Sequence, residues 1–130
     1  MSGNHSSGPM IPAGPLTIAQ ATTVVHGTGF TSRDLPVWDV EMVVLQGQIT
    51  GEAAANGDVD FIFVGSVDGI NFDTIGIKTL TLTMIGATPV NESVQLDVTG
   101  YKKIRLLSIQ NKDAAKDATV QVVWGKGYGA

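Results

Sequence analysis

Apolar residues recur at every second position in several short stretches, the period of a strand with one buried face. In residues 58–75 (DVDFIFVGSVDGINFDTI), Val59, Phe61 and Phe63 share a face, Asp68-Gly69 supplies a turn, and Phe72 restarts the apolar pattern. The stretch predicts a β-hairpin able to found a sheet core. Residues 37–49 open with Trp38, Val40, Met42 and Val44 alternating against Asp39 and Glu41, a core strand by the same rule. Leu80, Leu82 and Met84 alternate with Thr79, Thr81 and Thr83, and Val94, Leu96 and Val98 alternate with Ser93, Gln95 and Asp97. Residues 103–110 and 118–125 add two more strands around a polar loop, and the β-branched run 16–25 adds one before a Gly/Pro-broken loop from His26 to Pro36. Glu52 to Ala55 reads as a single helical turn, and the closing GKGYGA as a flexible tail.

Seven or eight strands, turn signals roughly every ten residues and no amphipathic helix describe an all-β chain. The pattern fits a single β-sandwich of the jelly-roll kind, with Val44, Phe61, Phe63, Leu82, Leu96, Leu106, Val122 and Trp124 as its core. An up-and-down barrel stays open, because period does not fix strand order. The expected organisation is an extended N-terminal arm over 1–15, a sandwich domain over 16–125 and a C-terminal tail over 126–130. Gly3, Gly8, Pro9, Pro12, Gly14 and Pro15 speak against helix or regular strand in the arm. Fully extended, such a segment reaches roughly 50 Å. We read it as lying on a partner, with Met10, Ile11, Pro12 and Leu16 as its partner-binding residues.

Composition narrows the picture. At 130 residues and 13.6 kDa the chain suits one domain with a real core. Charged residues make up only 15%, so the surface must show water many small or apolar atoms or hide part of itself against partners. Without cysteine there is no disulfide, thiol nucleophile or Cys-based zinc site. The opening residues resemble no secretory signal, and no apolar run suits a spanning helix. A soluble protein made in a cytoplasm is expected. The sequons at Asn4 and Asn91 then read as chance matches. Residues 1–97 hold ten acids and two bases, whereas residues 98–130 hold six bases and two acids. Either the two signs form separate patches through which copies attract one another, or the bases neutralise acids on adjacent strands.

Candidate chemistry is sparse. His26 has Ser32 and Asp34 nearby, but a histidine, a serine and an acid around a Gly-rich loop arise readily by chance, and there is no G-x-S-x-G elbow. Asp58 and Asp60, about 7 Å apart along a strand, have the spacing of a carboxylate pair, yet alternation assigns them to the solvent face. Asp68, Asn71 and Asp73 carry oxygen ligands out of the calcium-loop order and read as turn formers. The glycines of Gly27-Thr28-Gly29 and of the tail lack a following helix and make no phosphate loop. Lys102, Lys103 and Arg105 suggest nucleic acid, but the pI of about 4.8 opposes it. Trp38 and Trp124 would stack on sugars if exposed, and their phase places them in the core instead. No catalytic, cofactor or metal site is expected.

The hairpin GSVDGINFDTI resembles an S-x-DG-x-x-F hairpin of small β-rich virion proteins of tailed bacteriophages, and VTGYKKIRLLSIQ followed by TVQVVWG resembles their closing strand pair. Within that group the size is similar to jelly-roll capsid decoration (cement) proteins. The resemblance covers about residues 59–125. It implies a non-enzymatic protein on the virion exterior that binds the major capsid protein shell, often as a homotrimer, stabilises it, and bridges neighbours with the N-terminal arm. It implies neither nucleic-acid nor membrane partners. Tail, baseplate or fibre components, and a carbohydrate-binding β-sandwich module, are the other classes compatible with the sequence.

Overall fold

A computed structural model describes residues 7–11 and 15–129. It contains ten strands: β1 (Ser7–Pro9), β2 (Leu16–Ile18), β3 (Thr22–Val25), β4 (Leu35–Pro36), β5 (Met42–Gly51), β6 (Asp58–Ser66), β7 (Lys78–Thr83), β8 (Val90–Asp97), β9 (Lys103–Asn111) and β10 (Ala118–Tyr128). Among the described residues no helix is long and apolar enough to cross a membrane. All strand pairs are antiparallel, and the main ones nest: β6 with β7, β5 with β8, β3 with β9, β2 with β10. Rolling up this long double ribbon brings β10 beside β5 and β9 beside β6. The result is two sheets, β1-β10-β5-β8 with β2 also on β10, and β3-β9-β6-β7 with β4 also on β9. That winding is a jelly roll, which settles the strand order the period left open.

The count exceeds the expected seven or eight because short pieces form separate strands. The single strand expected over 16–25 is two, β2 in the first sheet and β3 in the second, with Ala21 at φ 52° turning the chain between them. Glu52 to Ala55 is a tight turn closed by the Ala55 N–H on the Glu52 carbonyl at 3.0 Å, with Ala54 at φ 68°, so it is not helical. The expected tail is part of β10, whose pairing with β5 continues to Tyr128 opposite Met42.

The core fills the space between the sheets, led by Phe61, Phe63, Leu45, Ile49, Leu82, Leu106 and Ile109, all fully buried. Phe61, Phe63, Leu82, Leu96 and Leu106 lie where alternation placed them. Three expected core residues do not. In β10 the register shifts between Val120 and Val122, so Ala118 and Val120 face inward before the bulge and Val123 after it. The extra residue turns Val122 half outward and leaves Trp124 41% exposed. In β5 the inward residues are Val43, Leu45 and Ile49, and Val44 is half-buried on the outer face. The alternation read from Trp38 crosses a turn, closed by the Val40 N–H on the Val37 carbonyl at 3.2 Å, which resets the phase before the strand starts. Trp38 is 72% exposed in that turn.

Bases and acids from opposite ends of the sequence meet in space. Arg105 pairs with Asp34 at 2.8 Å and Lys112 with Asp60 at 2.8 Å. Asp60 was expected on the solvent face, but Lys112 and the Thr81 hydroxyl, which donates to it at 2.6 Å, cover it to 8% exposure.

Candidate functional site

The N-terminal residues occupy places in this chain's own sandwich. β1 pairs with β10 along Ser7–Lys126, Gly8–Gly125 and Pro9–Trp124. The Met10 N–H then donates to the Val123 carbonyl at 2.7 Å, and its carbonyl accepts from the Arg33 N–H at 2.7 Å. The Met10 side chain is fully buried in the core, and Ile11 and Leu16 are half-buried against it. Pro12 lies outside the described residues. The reading of Met10 as a partner-binding residue is therefore corrected: backbone pairing to β10 and desolvation of an apolar side chain hold residues 7–11 on their own chain. A three-residue strand on the outside of a sheet tolerates Gly8 and Pro9, which a longer central strand would not.

His26, Ser32 and Asp34 are close but engaged with other groups. The Ser32 backbone N–H, not its hydroxyl, donates to His26 Nδ1 at 3.0 Å. The hydroxyl donates to the Arg33 carbonyl and accepts from the Leu106 N–H, both at 3.2 Å, and Asp34 holds Arg105. Burial, reinforced by the Arg105 charge and opposed by Asp34, lowers the His26 pKa. The arrangement fastens the loop to β9 and presents no activated hydroxyl.

Two surfaces do stand out. The first is the 67–77 connection between β6 and β7, where the sequence predicted an immediate second strand at Phe72; β7 begins only at Lys78. Asp68 organises it. One carboxylate oxygen, Oδ1, accepts from the backbone N–H of Ile70 and of Asn71 (both 2.8 Å) and from the Ser66 hydroxyl (3.0 Å), while Oδ2 accepts from Asn71 Nδ2 at 2.7 Å. These donors, the Asn71 backbone N–H foremost and the Ile70 N–H next, hold the Asp68 carboxyl well below the usual carboxylate range. Gly69 takes the φ of 82° that the turn needs, and its N–H donates to Ser66 Oγ at 2.9 Å. Further along, the Arg105 guanidinium lies 3.7 Å from the Phe72 ring centroid while gripping Asp34 with two bonds of 2.8 and 2.9 Å. On this fixed frame Val67, Ile70 and Ile75 stand 66%, 81% and 80% exposed. Side-chain oxygens among polar turn residues were legible as turn formers; the isoleucines carried no period that marked them as displayed.

The second surface is the outer face of the first sheet. Antiparallel pairing sets Trp124, Gln46 and Ser93 in one row, Lys126, Val44 and Gln95 in the next, and Tyr128, Met42 and Asp97 in a third. Trp124, Gln46, Ser93, Lys126, Val44 and Tyr128 line a shallow depression of about 240 Å³, and Met42, Gln95 and Asp97 line a neighbouring one of about 400 Å³ together with Glu41 and Thr99. Lys126 Nζ sits 5.4 Å from the Tyr128 ring centroid, and the Thr99 N–H donates to Asp97 Oδ1 at 2.9 Å, which lowers the Asp97 pKa. Among the described residues no group of three or more His, Cys, Asp or Glu is placed to hold a metal ion.

No protein-family model matches the chain, and no curated protein matches it in sequence. Solved structures share its fold. The CBM22-1 xylan-binding domain of Paenibacillus barcinonensis Xyn10C superposes with a TM-score of 0.51 at 11% identity, over 95% of this chain and 94% of that one. The CBM36-1 domain of a multidomain xylanase from the hindgut metagenome of Trinervitermes trinervoides gives 0.53 at 10% identity, over 95% and 99%. Broad bean stain virus also superposes, at 0.47 with 13% identity over 98% and 85%, too loosely to bear on the argument. At these identities the likeness establishes the β-sandwich fold alone.

Proposed function

We propose that the chain is a non-enzymatic virion protein that decorates the outside of a phage capsid and stabilises the shell of major capsid protein. The observation that carries this reading is the β6–β7 connection, which holds three large apolar side chains in water on a rigid frame. Apolar groups displayed singly are ordinary; three on one connection whose backbone is held by hydrogen bonds and a guanidinium stack make a surface organised before it meets a partner. Preorganisation lowers the ordering cost of each contact, and many copies on one particle multiply weak contacts into a stable coat. The tip also lies in the stretch that resembles phage virion proteins, and the scarcity of charge suits a molecule packed among sister copies. Localisation on the capsid exterior after synthesis in the host cytoplasm, and trimeric association, belong to the same proposal. With residues 7–11 held in their own sheet, the bridging role passes from the arm to this tip.

The test is binding to capsids that lack the protein, with Ile70→Asp and Ile75→Asp introduced together. Both side chains are solvent-exposed, so the melting temperature should not change. Burying an isoleucine contributes roughly 1.5–3 kcal/mol, so capsid affinity should fall at least about tenfold per residue. A doubly substituted protein that saturates capsids and protects them from heat as well as the parent does would refute the proposal.

A further inference from the structure

We propose that the outer face of the β1-β10-β5-β8 sheet is a binding site for neutral oligosaccharides, with the Trp124 indole as its stacking platform. The site is distinct from the β6–β7 tip and does not depend on whether that tip docks on a shell.

The chemistry of the face is mixed in a particular way. A sugar ring has an apolar C–H face and a rim of hydroxyls, so its receptor needs flat aromatic surface beside groups that both donate and accept hydrogen bonds. Trp124 and Tyr128 supply the first, at 41% and 43% exposure on the same side of β10. Gln46, Ser93 and Gln95 supply the second from the two neighbouring strands, in register with them. From Trp124 to Tyr128 the strand runs about 13 Å, room for a short chain of rings rather than one. Pro9, opposite Trp124 on β1, closes one side of the platform.

Two further observations favour this occupant over others. With Lys126 set against Asp97 and Glu41, the lining carries a small negative balance, so no positive field draws an anionic polymer. Burying three amide and hydroxyl side chains under a protein partner would require a donor or acceptor for each, a need that a hydroxyl-rich ligand or water meets without special fit. The bulge between Val120 and Val122 is what aims Trp124 outward: had the alternation of Ala118 and Val120 continued, position 124 would face the core.

The experiment is isothermal titration of the full chain with cellohexaose, xylohexaose, mannohexaose and chitohexaose at millimolar concentration, followed by tryptophan emission. At least one should bind and perturb the emission. Trp124→Ala should weaken that binding about tenfold or more, Trp124→Phe should retain part of it, and Trp38→Ala, exposed but not among the residues that line the two depressions, should leave it unchanged. Melting curves check that the variants are folded. The proposal is overturned if no hexasaccharide binds, if Trp124→Ala binds as the parent does, if only an acidic saccharide such as oligogalacturonate binds, or if Trp124 emission shifts on dilution because a second copy covers the face.

Discussion

Replacing Met10 by alanine separates a segment that belongs to this fold from one that belongs to a partner. Met10 is fully buried, its side chain near the surface that Gly125 leaves open: a Cβ at position 125 would stand 3.6 Å from Met10 Sδ and 2.8 Å from Leu35 Cδ2. The missing side chain of Gly125 makes room that Met10 and Leu35 fill. Truncating a buried methionine costs the transfer free energy of the lost atoms plus the cavity, typically about 2–5 kcal/mol. The backbone bonds of residue 10 to Val123 and Arg33 remain, which points to the middle of the range, about 3 kcal/mol. For a chain of 130 residues, unfolding entropy makes that a drop of roughly 10 °C in Tm. The assay is thermal unfolding by calorimetry or circular dichroism at several protein concentrations. Met42→Ala, a half-buried change on the outer sheet face, should cost less than half as much. A Met10→Ala protein melting within about 2 °C of the parent would refute the placement of this residue in its own chain's core.

Two further outcomes are expected. The His26 pKa lies below its ordinary 6.5 in the fold, so between the two values the unfolded chain binds more protons; stability should hold above that pH and decline as pH falls through 6.5 toward the folded value. His26→Gln should flatten this segment of the stability-versus-pH curve, and an unchanged slope would count against the burial of His26 beside Arg105 as its source. Arg105→Lys removes the two-pronged grip on Asp34 and the flat stack on Phe72. With both partners about a quarter exposed, the loss should be about 1 kcal/mol, and faster amide exchange at Ile70 and Asn71 should report a loosened tip. Equal exchange rates in the two proteins would show that the Asp68 network alone fixes it.

Strand existence was legible wherever a strand is half-buried and uninterrupted, as in β7 and β8, because alternation there is a direct image of burial. Facing was less legible, since one extra residue inverts every side chain beyond it. The bulge in β10 exchanged Trp124 for Val123, and the turn at Val37–Val40 exchanged Val44 for Val43. Both errors fall on the surface now read as a sugar platform. Phase hid Trp124, and the glycines around Tyr128 made it read as part of a flexible tail. Met10 was illegible for a different reason: a lone methionine between prolines and glycines has no period, and its burial depends on Gly125, Leu35 and Val123 from distant parts of the chain. The cross-chain neutralisation of Asp34 and Asp60 likewise needed the nested pairing before Arg105 and Lys112 could be placed beside them.

The nested pairing has a consequence for synthesis. β10 is an inner strand of its sheet, flanked by β5 on one edge and by β1 and β2 on the other, and it is made after the nine other described strands. Until it emerges, β1 and β2 lack their partner and β5 lacks one of its two, whereas the β5–β8 pair and the second sheet need no residue of β10. The chain without β10 therefore carries one sheet able to form and, in the other, several unpaired, aggregation-prone edges. Closing the sheet requires contacts between the extremes of the sequence, the slowest kind to form. A premature stop anywhere before residue 118 would remove the shared partner of half a sandwich, and a chaperone acting on this protein would find most of its work in the interval before that strand arrives.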